Sequence, residues 1–256
     1  MSTELQTERL GSTQIMTLSG PATRNALSPQ VYAAGIETLN MAESDEDVKA
    51  VILTGASGHF CGGGDLQRLA HNRQHDLPQQ AANLDAFHQW IEALRSFPKP
   101  VIAAVEGVAA GAGLSLMLAC DLVIAAENAR FVTAYSQVGL SPDGGASWHL
   151  ARALGRGNAL QWLWQDTPIT AQELQQRGLV QQVVSAGTAL SCALTLAEQL
   201  SKVPNGVLSS VKELVNDASA QSLRQQLDAE KQHFIVNLSR AEAGVAIERF
   251  LSQQPR

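Results

Sequence analysis

The longest apolar stretch of this chain, residues 101–126, limits most strongly what the chain can fold into; it is VIAAVEGVAAGAGLSLMLACDLVIAA. Such a stretch could be a membrane span. However, Glu106 and Asp121 interrupt it, and the uncharged piece between them is shorter than the roughly 20 residues needed to cross a bilayer. Several glycines divide that piece further. The pattern therefore predicts a buried strand, a turn, a buried helix and another strand.

Short β-rich runs alternate with helical patterns along most of the chain. Ser28-Pro29 is typical of a helix start, because serine can cap and proline is tolerated at the first helical position, and this helix is expected to reach about Ala42. A second helical pattern stops before Pro98 and Pro100. The alternation predicts the α/β class with largely parallel strand pairing. The strand candidates are Ile15 to Ser19, Ala50 to Thr54, Val101 to Val105, Leu122 to Ala126 and Val180 to Val184.

Strand patterns disappear from about Ser191, and only helical patterns follow. The sequence therefore predicts a division into residues 1–190, an α/β core, and residues 191–256, a helical C-terminal region.

Composition excludes some classes of partner. A net charge of −6 gives no general electrostatic reason to bind nucleic acid or an anionic membrane. The N-terminus has no apolar core typical of a secretory signal. Three widely spaced cysteines suggest neither a disulfide framework nor a zinc site, so we expect a reducing, cytoplasmic location.

A glycine-rich segment, HFCGGGDL from His59 to Leu66, follows the strand candidate AVILTG. Consecutive glycines let a ligand approach the main chain closely. On its own, the segment is more typical of a flexible surface turn. A metal site formed by His59, Cys61 and Asp65 matches no standard ligand spacing.

A second glycine-rich segment connects the strand and helix of the apolar stretch and contains Gly107, Gly111 and Gly113. Exposed N–H groups at a helix N-terminus can bind an anion or an oxyanion. The segment GVAAGAG is not the GxGxxG pattern of dinucleotide-binding proteins. The alternative is close packing of small residues between a buried helix and a sheet.

Taken together, LTGASGHFCGGGDL and KPVIAAVEGVAAGAGLSLMLACDLVIA resemble the paired signature of the crotonase (enoyl-CoA hydratase/isomerase) superfamily. RNAL at 24–27 and ARFVTAYSQVGLSPDGGAS at 129–147 match it too. The resemblance implies a ClpP-like ββα spiral core, a C-terminal helical region used for trimerisation as a homotrimer or a dimer of trimers, and a coenzyme A thioester as substrate. It implies no metal and no separate cofactor, since coenzyme A enters with the substrate.

The same resemblance assigns the groups that bind the substrate. Gly64 and Ala112, with Gly111 beside the latter, would donate N–H groups to the thioester oxygen. An enolate-like intermediate places negative charge on that oxygen, which explains the need for two donors. Coenzyme A would lie along two short stretches, in which Arg24 is the only cation and could equally be a solvated surface charge. The residues of these stretches are Arg24, Asn25, Ala26, Leu27, Gly64, Asp65 and Leu66.

The chain departs from the true hydratases, which use two glutamates, because the positions matched to them are Tyr135 and Gln161. The nearest carboxylate is Asp143, at a position that carries the acid/base in some enoyl-CoA isomerases and in the ring-epoxide isomerase of phenylacetyl-CoA catabolism. The 4-chlorobenzoyl-CoA dehalogenases place an aspartate nucleophile there. Without the resemblance, Asp143 is more typical of an N-cap for the helical pattern that follows.

His88 and Tyr135 keep the dehalogenase alternative open. His88 aligns with the histidine that activates water in those enzymes, although a lone histidine is more often packed at the margin of a core. Tyr135 aligns with an aromatic residue that helps to bind the substrate ring. The segment SPDGGAS is more similar to an isomerase, so we predict an enoyl-CoA isomerase that uses Asp143 as acid/base. A dehalogenase, a hydratase and a catalytically silent acyl-CoA-binding protein are the alternatives.

Overall fold

The computed structural model describes residues 3–252, which form two compact units, one ending at Leu200 and the other beginning at Ser201. The strands are β1 (Glu4–Leu10), β2 (Thr13–Ser19), β3 (Ala50–Gly55), β4 (Val101–Val105), β5 (Val108–Ala110), β6 (Leu122–Ala126), β7 (Arg130–Val132), β8 (Ile169–Thr170) and β9 (Gln182–Val184). The helices are α1 (Pro29–Ser44), α2 (Leu66–His75), α3 (Leu77–Ser96), α4 (Ala112–Ala119), α5 (Ala146–Leu154), α6 (Arg156–Gln165), α7 (Ala171–Gln176), α8 (Ala189–Leu200), α9 (Asn205–Asp217), α10 (Leu223–Leu238) and α11 (Ala241–Ser252).

Two sheets organise the first unit. The larger has the strand order β1-β2-β3-β4-β6-β9, and its strands are parallel apart from the β1–β2 pair. The smaller has the order β5-β7-β8 and begins with the glycine-rich segment after β4. The α/β class and the largely parallel pairing predicted from the sequence are confirmed.

Both faces of the larger sheet are covered, which explains why its central strands are apolar without alternation. Val51 and Leu53 of β3 point into the main core, whereas Ala50 and Ile52 point to the opposite face. On that opposite face α8 packs through its alanines, which let the helix approach the sheet closely. Helix α8 thus belongs to the first unit, ten residues beyond the predicted division at residue 190.

The apolar stretch at 101–126 folds as predicted, into β4, a turn, the fully buried helix α4, and β6. A short additional strand, β5, lies within the turn. The predicted start of α1 is confirmed as well, since Ser28 caps it and Pro29 is its first residue. Over residues 3–252, no helix combines the length and the apolarity that crossing a bilayer requires.

The second unit consists of α9, α10 and α11. None of its described side chains is fully buried, and many of its large apolar residues are exposed. A small apolar cavity of about 460 Å³ lies within it. These helices therefore bury little of their own apolar surface within the unit.

Candidate active site

The two glycine-rich segments are joined to each other by backbone pairing. The N–H of Cys61 donates to the carbonyl of Val108 at 3.0 Å, and the N–H of Ala110 donates back to the carbonyl of Cys61 at 2.9 Å. A further bond, from the N–H of Leu27 to the carbonyl of Gly63 at 2.7 Å, ties the RNAL segment to the same place. Backbone hydrogen bonds thus bring together three segments that are distant in sequence.

Two of the three predicted donor residues keep their N–H groups unused. Within residues 3–252, neither Gly64 nor Ala112 donates its N–H to another residue of the protein. Ala112 is the first residue of α4, and the first N–H groups of a helix have no intrahelical acceptor. The N–H of Gly111 is occupied, since it donates to Val132 at 3.0 Å. Among the three predicted donors, the free N–H groups are therefore those of Gly64 and Ala112.

Both donors line one cavity of about 590 Å³, which we call the Asp143 cavity. Among its described lining residues Asp143 is the only carboxylate, and His88 is the only histidine. Much of the wall is apolar and consists of Leu66, Leu69, Leu84, Val138, Leu140 and Pro142. The cavity therefore combines an apolar wall with two N–H donors and one titratable carboxyl group.

Asp143 is half-buried and bonded to Tyr135, whose hydroxyl lies 2.8 Å from Oδ1. The buried hydroxyl of Ser115 lies 2.9 Å from that of Tyr135 and donates to the backbone carbonyl of Asp143 at 2.9 Å. Burial raises the pKa of Asp143, although the bond from Tyr135 and the neighbouring His88 act in the opposite direction. Burial, together with the Asp143 carboxylate, raises the pKa of Tyr135, so this phenol stays neutral. Asp143 is thus a carboxyl group with an increased affinity for a proton.

Asp143 does not cap α5. The helix begins at Ala146 with Gly145 as its N-cap, and no side chain accepts a cap hydrogen bond. Both Gly144 and Gly145 have positive φ, and the turn that they form separates the carboxyl group from the helix start. Only the backbone carbonyl of Asp143 contacts Ala146, at 3.1 Å. The capping explanation suggested by the sequence is therefore wrong.

His88 lies on α3 with an exposed side chain, and its Nε2 accepts a hydrogen bond from the N–H of Gly144 at 3.3 Å. It therefore shares the Asp143 cavity with Asp143 and Tyr135. Gln161 is not brought to this place. It lies on α6 with its side chain exposed, next to a separate cavity of about 180 Å³ that also contains Glu173.

A second cavity, of about 600 Å³, adjoins the first and shares Gly62, Gly64 and Leu66 with it. We call it the Arg24 cavity, since Arg24, Ala26 and Asp65 line it with these glycines. Asp65 caps α2 through its carboxylate.

Two of the predicted coenzyme-binding residues have other contacts. The side chain of Asn25 is fully buried and donates to the carbonyls of Ala56 and His59. Leu27 is fully buried in the core. Any coenzyme contact at these two positions would therefore involve the backbone.

Two residues of the site were missed at the level of sequence. Arg68, the second cation of the Arg24 cavity, donates from Nη2 to the carbonyl of Leu27 at 2.6 Å. Nothing in the sequence of α2 distinguishes Arg68 from an ordinary surface arginine. Ser115 sits in the apolar sequence of α4, where a serine is typical of close helix packing, so its contact with Tyr135 and Asp143 is visible only in three dimensions.

Comparison with known proteins now decides the family. The family model described as enoyl-CoA hydratase/isomerase matches residues 8–255. The chain belongs to this family. It has the crotonase fold predicted from its sequence and is an acyl-CoA enzyme. A solved enoyl-CoA hydratase from Polaromonas sp. JS666 is 51% identical and superposes with a TM-score of 0.96, with 98% of each chain covered.

Relatives of this chain carry names that describe different reactions. The 1,2-epoxyphenylacetyl-CoA isomerase of Escherichia coli K12 is 34% identical over 93% of this chain and 92% of its own length. The 2,3-dehydroadipyl-CoA hydratase of the same organism is 33% identical over 98% and 96%. The 4-chlorobenzoyl coenzyme A dehalogenase-2 of an Arthrobacter species is 30% identical over 92% and 86%.

Proposed function

We propose that this enzyme moves a double bond within an enoyl-CoA, with Asp143 as the acid/base. The observation that carries the proposal is that Asp143 is the only carboxylate among the described residues of its cavity, half-buried and opposite no second carboxyl group. Moving a double bond needs one group that takes a proton from one carbon and returns it to another. Hydration by a pair of carboxylates needs two.

The reaction would proceed through an enolate. The acyl group enters the Asp143 cavity with its thioester oxygen between the N–H groups of Gly64 and Ala112. The Asp143 carboxylate removes a proton from carbon, and the electron pair of the broken C–H bond moves into the conjugated system and onto that oxygen. The carboxyl proton of Asp143 exchanges with solvent, and Asp143 then delivers a proton to a different carbon. An affinity for protons above that of an ordinary aspartate suits this step, because a base works best when its pKa is near the operating pH.

Coenzyme A would occupy the Arg24 cavity, which continues from the Asp143 cavity past Gly64. Arg24 and Arg68 are the two cations among the described residues that line it, and they would face its phosphates.

Mass spectrometry after incubation of CoA thioesters in deuterated water tests the proposal. We expect an isomeric enoyl-CoA whose mass increases only by the deuterium that it takes up at the carbons between which the double bond moves. A product heavier by one water would indicate a hydratase. Thioesters that stay unchanged and unlabelled across the panel would indicate a binding protein.

A dehalogenase is the second candidate, because His88 lies in the same cavity as Asp143. In that reaction the carboxylate of Asp143 would attack the aryl carbon, chloride would leave, and water activated by His88 would hydrolyse the ester. Single turnover of 4-chlorobenzoyl-CoA in H₂¹⁸O would then leave ¹⁸O on Asp143. We expect no label on this residue; its appearance would assign the enzyme to the dehalogenases.

We also propose that the enzyme is a trimer or a dimer of trimers assembled through its C-terminal helices. The second unit leaves large apolar side chains exposed, including Leu223, Phe234 and Phe250 at 75%, 66% and 66%. Exposed apolar surface of this extent is typical of an interface. Light scattering at micromolar concentration should give a trimer or a hexamer, and a monomer would contradict the proposal.

A further inference from the structure

Three oxygen–oxygen contacts join Ser115, Tyr135 and Asp143 into a closed ring. The Ser115 hydroxyl lies 2.9 Å from the backbone carbonyl oxygen of Asp143 and 2.9 Å from the Tyr135 hydroxyl. The ring closes between the Tyr135 hydroxyl and Asp143 Oδ1, at 2.8 Å. Ser115 is completely buried and Tyr135 is 6% exposed, so both hydroxyl groups depend on partners within the protein.

Counting protons around the ring gives different results for the two states of Asp143. For all three contacts to be hydrogen bonds, Ser115 must donate its single proton to the backbone carbonyl, which can only accept. Tyr135 must then donate to Ser115, and the proton between Tyr135 and Asp143 has to come from the carboxyl group. All three contacts are hydrogen bonds only when Asp143 is protonated. With Asp143 ionised, two hydroxyl protons serve three contacts, and one contact is left without a proton.

We propose that Ser115 is a positioning residue of the reaction: its hydroxyl group accepts from Tyr135 and so competes with the Asp143 carboxylate for the Tyr135 proton. This inference rests on the proposed role of Asp143 as the acid/base. Asp143 binds the proton taken from the substrate carbon, and the ring is complete when a proton lies on Oδ1. Delivering a proton to the second carbon opens the ring again, so the cycle leaves the enzyme unchanged.

The other groups around Asp143 either favour its charged form or have little effect on its protonation. His88 of α3 favours the carboxylate, and so do the Tyr135 hydroxyl and the backbone N–H of Asp143 itself. Tyr32 of α1 faces Asp143 from another side, and it is a neutral phenol whose own neighbours include Arg68 and Cys61. Only burial and the proton count of the ring hold the proton on Asp143. Removing Ser115 should therefore release it.

Two variants are expected to shift the titration of Asp143 in opposite directions. Ser115→Ala frees Tyr135 to donate to the carboxylate without competition. The midpoint of the rise of kcat/KM with pH should therefore fall by about one pH unit, which is equivalent to one unsatisfied buried contact. Tyr135→Phe removes the hydroxyl donor that stabilises the charged form, so the midpoint should rise. A serine that only fills space would not change the midpoint.

A matched control and a second readout complete the experiment. Thr54→Val removes another buried hydroxyl, which donates to the carbonyl of Ala104 at 2.9 Å, and should leave the midpoint unchanged. The infrared band of the protonated carboxyl group, assigned by its loss in Asp143→Asn, reports the same titration without substrate. Ser115→Cys keeps the size of the side chain with a weaker donor and should give a smaller shift in the direction of Ser115→Ala.

The outcomes separate the two proposals. A midpoint that is unchanged or raised in both Ser115 variants overturns the ring, even if isomerisation depends on Asp143. A band that titrates as expected in an enzyme that isomerises no thioester supports the ring and overturns the proposed function.

Discussion

Two carboxylates accept hydrogen bonds from one short segment, residues 133–137, but they differ in what surrounds them. Asp166 is 1% exposed and accepts bonds from Thr133, from the Ser136 hydroxyl at 2.6 Å and from the Gln137 N–H at 2.9 Å. Asp143 accepts from the Tyr135 hydroxyl and faces a cavity. Burial disfavours the charge on both, yet the donors around Asp166 outweigh it and lower its pKa, whereas the pKa of Asp143 is raised.

The number of donors differs: two hydroxyl groups and a backbone N–H donate to Asp166, whereas Asp143 accepts from the Tyr135 hydroxyl. A backbone N–H can only donate, so the Gln137 N–H next to Asp166 stabilises the carboxylate and cannot adapt to the acid. A hydroxyl group can donate or accept, so Tyr135 fits either state of Asp143. Burial alone therefore does not mark a reactive carboxylate. Fewer donors that stabilise its charge and access to a cavity distinguish Asp143 from Asp166.

The largest expected effect concerns Asp143. Asp143→Asn should lower kcat on the order of 10³-fold or more, because an amide cannot act as a base at neutral pH. Its melting temperature should stay close to that of the wild type, since the side chain caps no helix. Steady-state kinetics and calorimetry on the same preparation measure both. Full activity in this variant would mean that Asp143, like Asp166, has no catalytic role.

The free N–H donors of Gly64 and Ala112 line the Asp143 cavity and are a second feature that distinguishes Asp143 from Asp166. Gly111 has φ 50°, a left-handed conformation that a β-branched residue adopts at a cost, and it immediately precedes Ala112. Gly111→Val should displace the Ala112 N–H and lower kcat/KM by about 10²- to 10³-fold with little loss of secondary structure. Gly178→Val is the matched control, because Gly178 has φ 75° with no atom near its would-be side chain and lines neither cavity. Equal kinetics in the two variants would contradict the oxyanion role.

Asp166 should affect stability rather than rate. Asp166→Ala removes the acceptor of three donors in residues 133–137, and a lost hydrogen bond to a charged group costs about 1.5–3 kcal/mol. Denaturant unfolding should record this loss, while kcat below the melting temperature stays within about twofold of the wild type, an effect below 0.5 kcal/mol. Asp143→Ala, the same truncation at the half-buried carboxylate, should cost clearly less stability. A reversed order would mean that Asp143 supports the fold.

Much of the fold was predictable because paired apolar and glycine patterns specify it locally. Strands β4 and β6 have the predicted bounds. Strand β1 was missed, since its sequence ELQTERL is polar and its residues are mostly exposed; it is a strand because it pairs with β2. Such an edge strand depends on its neighbour and carries little signal of its own.

The site was only partly predictable, for a similar reason. Gly64, Ala112 and Asp143 come from recognisable segments, and the structure brings them into one cavity. The contact between Ser115 and Asp143 crosses 28 positions of sequence and depends on how α4 meets the turn at Gly144. The same turn separates the Asp143 side chain from the start of α5, so Asp143 does not cap this helix. Capping preferences alone could not indicate this.

The smallest expected effect is a difference in how the two carboxylates respond to pH. Because the folded pKa of Asp166 is lowered, its contribution to stability is present above the unfolded value near 3.9 and is lost as pH falls through the folded pKa. The destabilisation in Asp166→Ala should therefore shrink below about pH 4. The folded pKa of Asp143 is raised, so its ionisation costs stability as pH rises. Asp143→Asn should be slightly more stable than the wild type at pH 7, and this advantage should vanish in acid, where both side chains are neutral. Thermal melts of the wild type and both variants across this pH range measure the two trends. If both variants were less stable than the wild type at pH 7, the two carboxylates would be held in the same way.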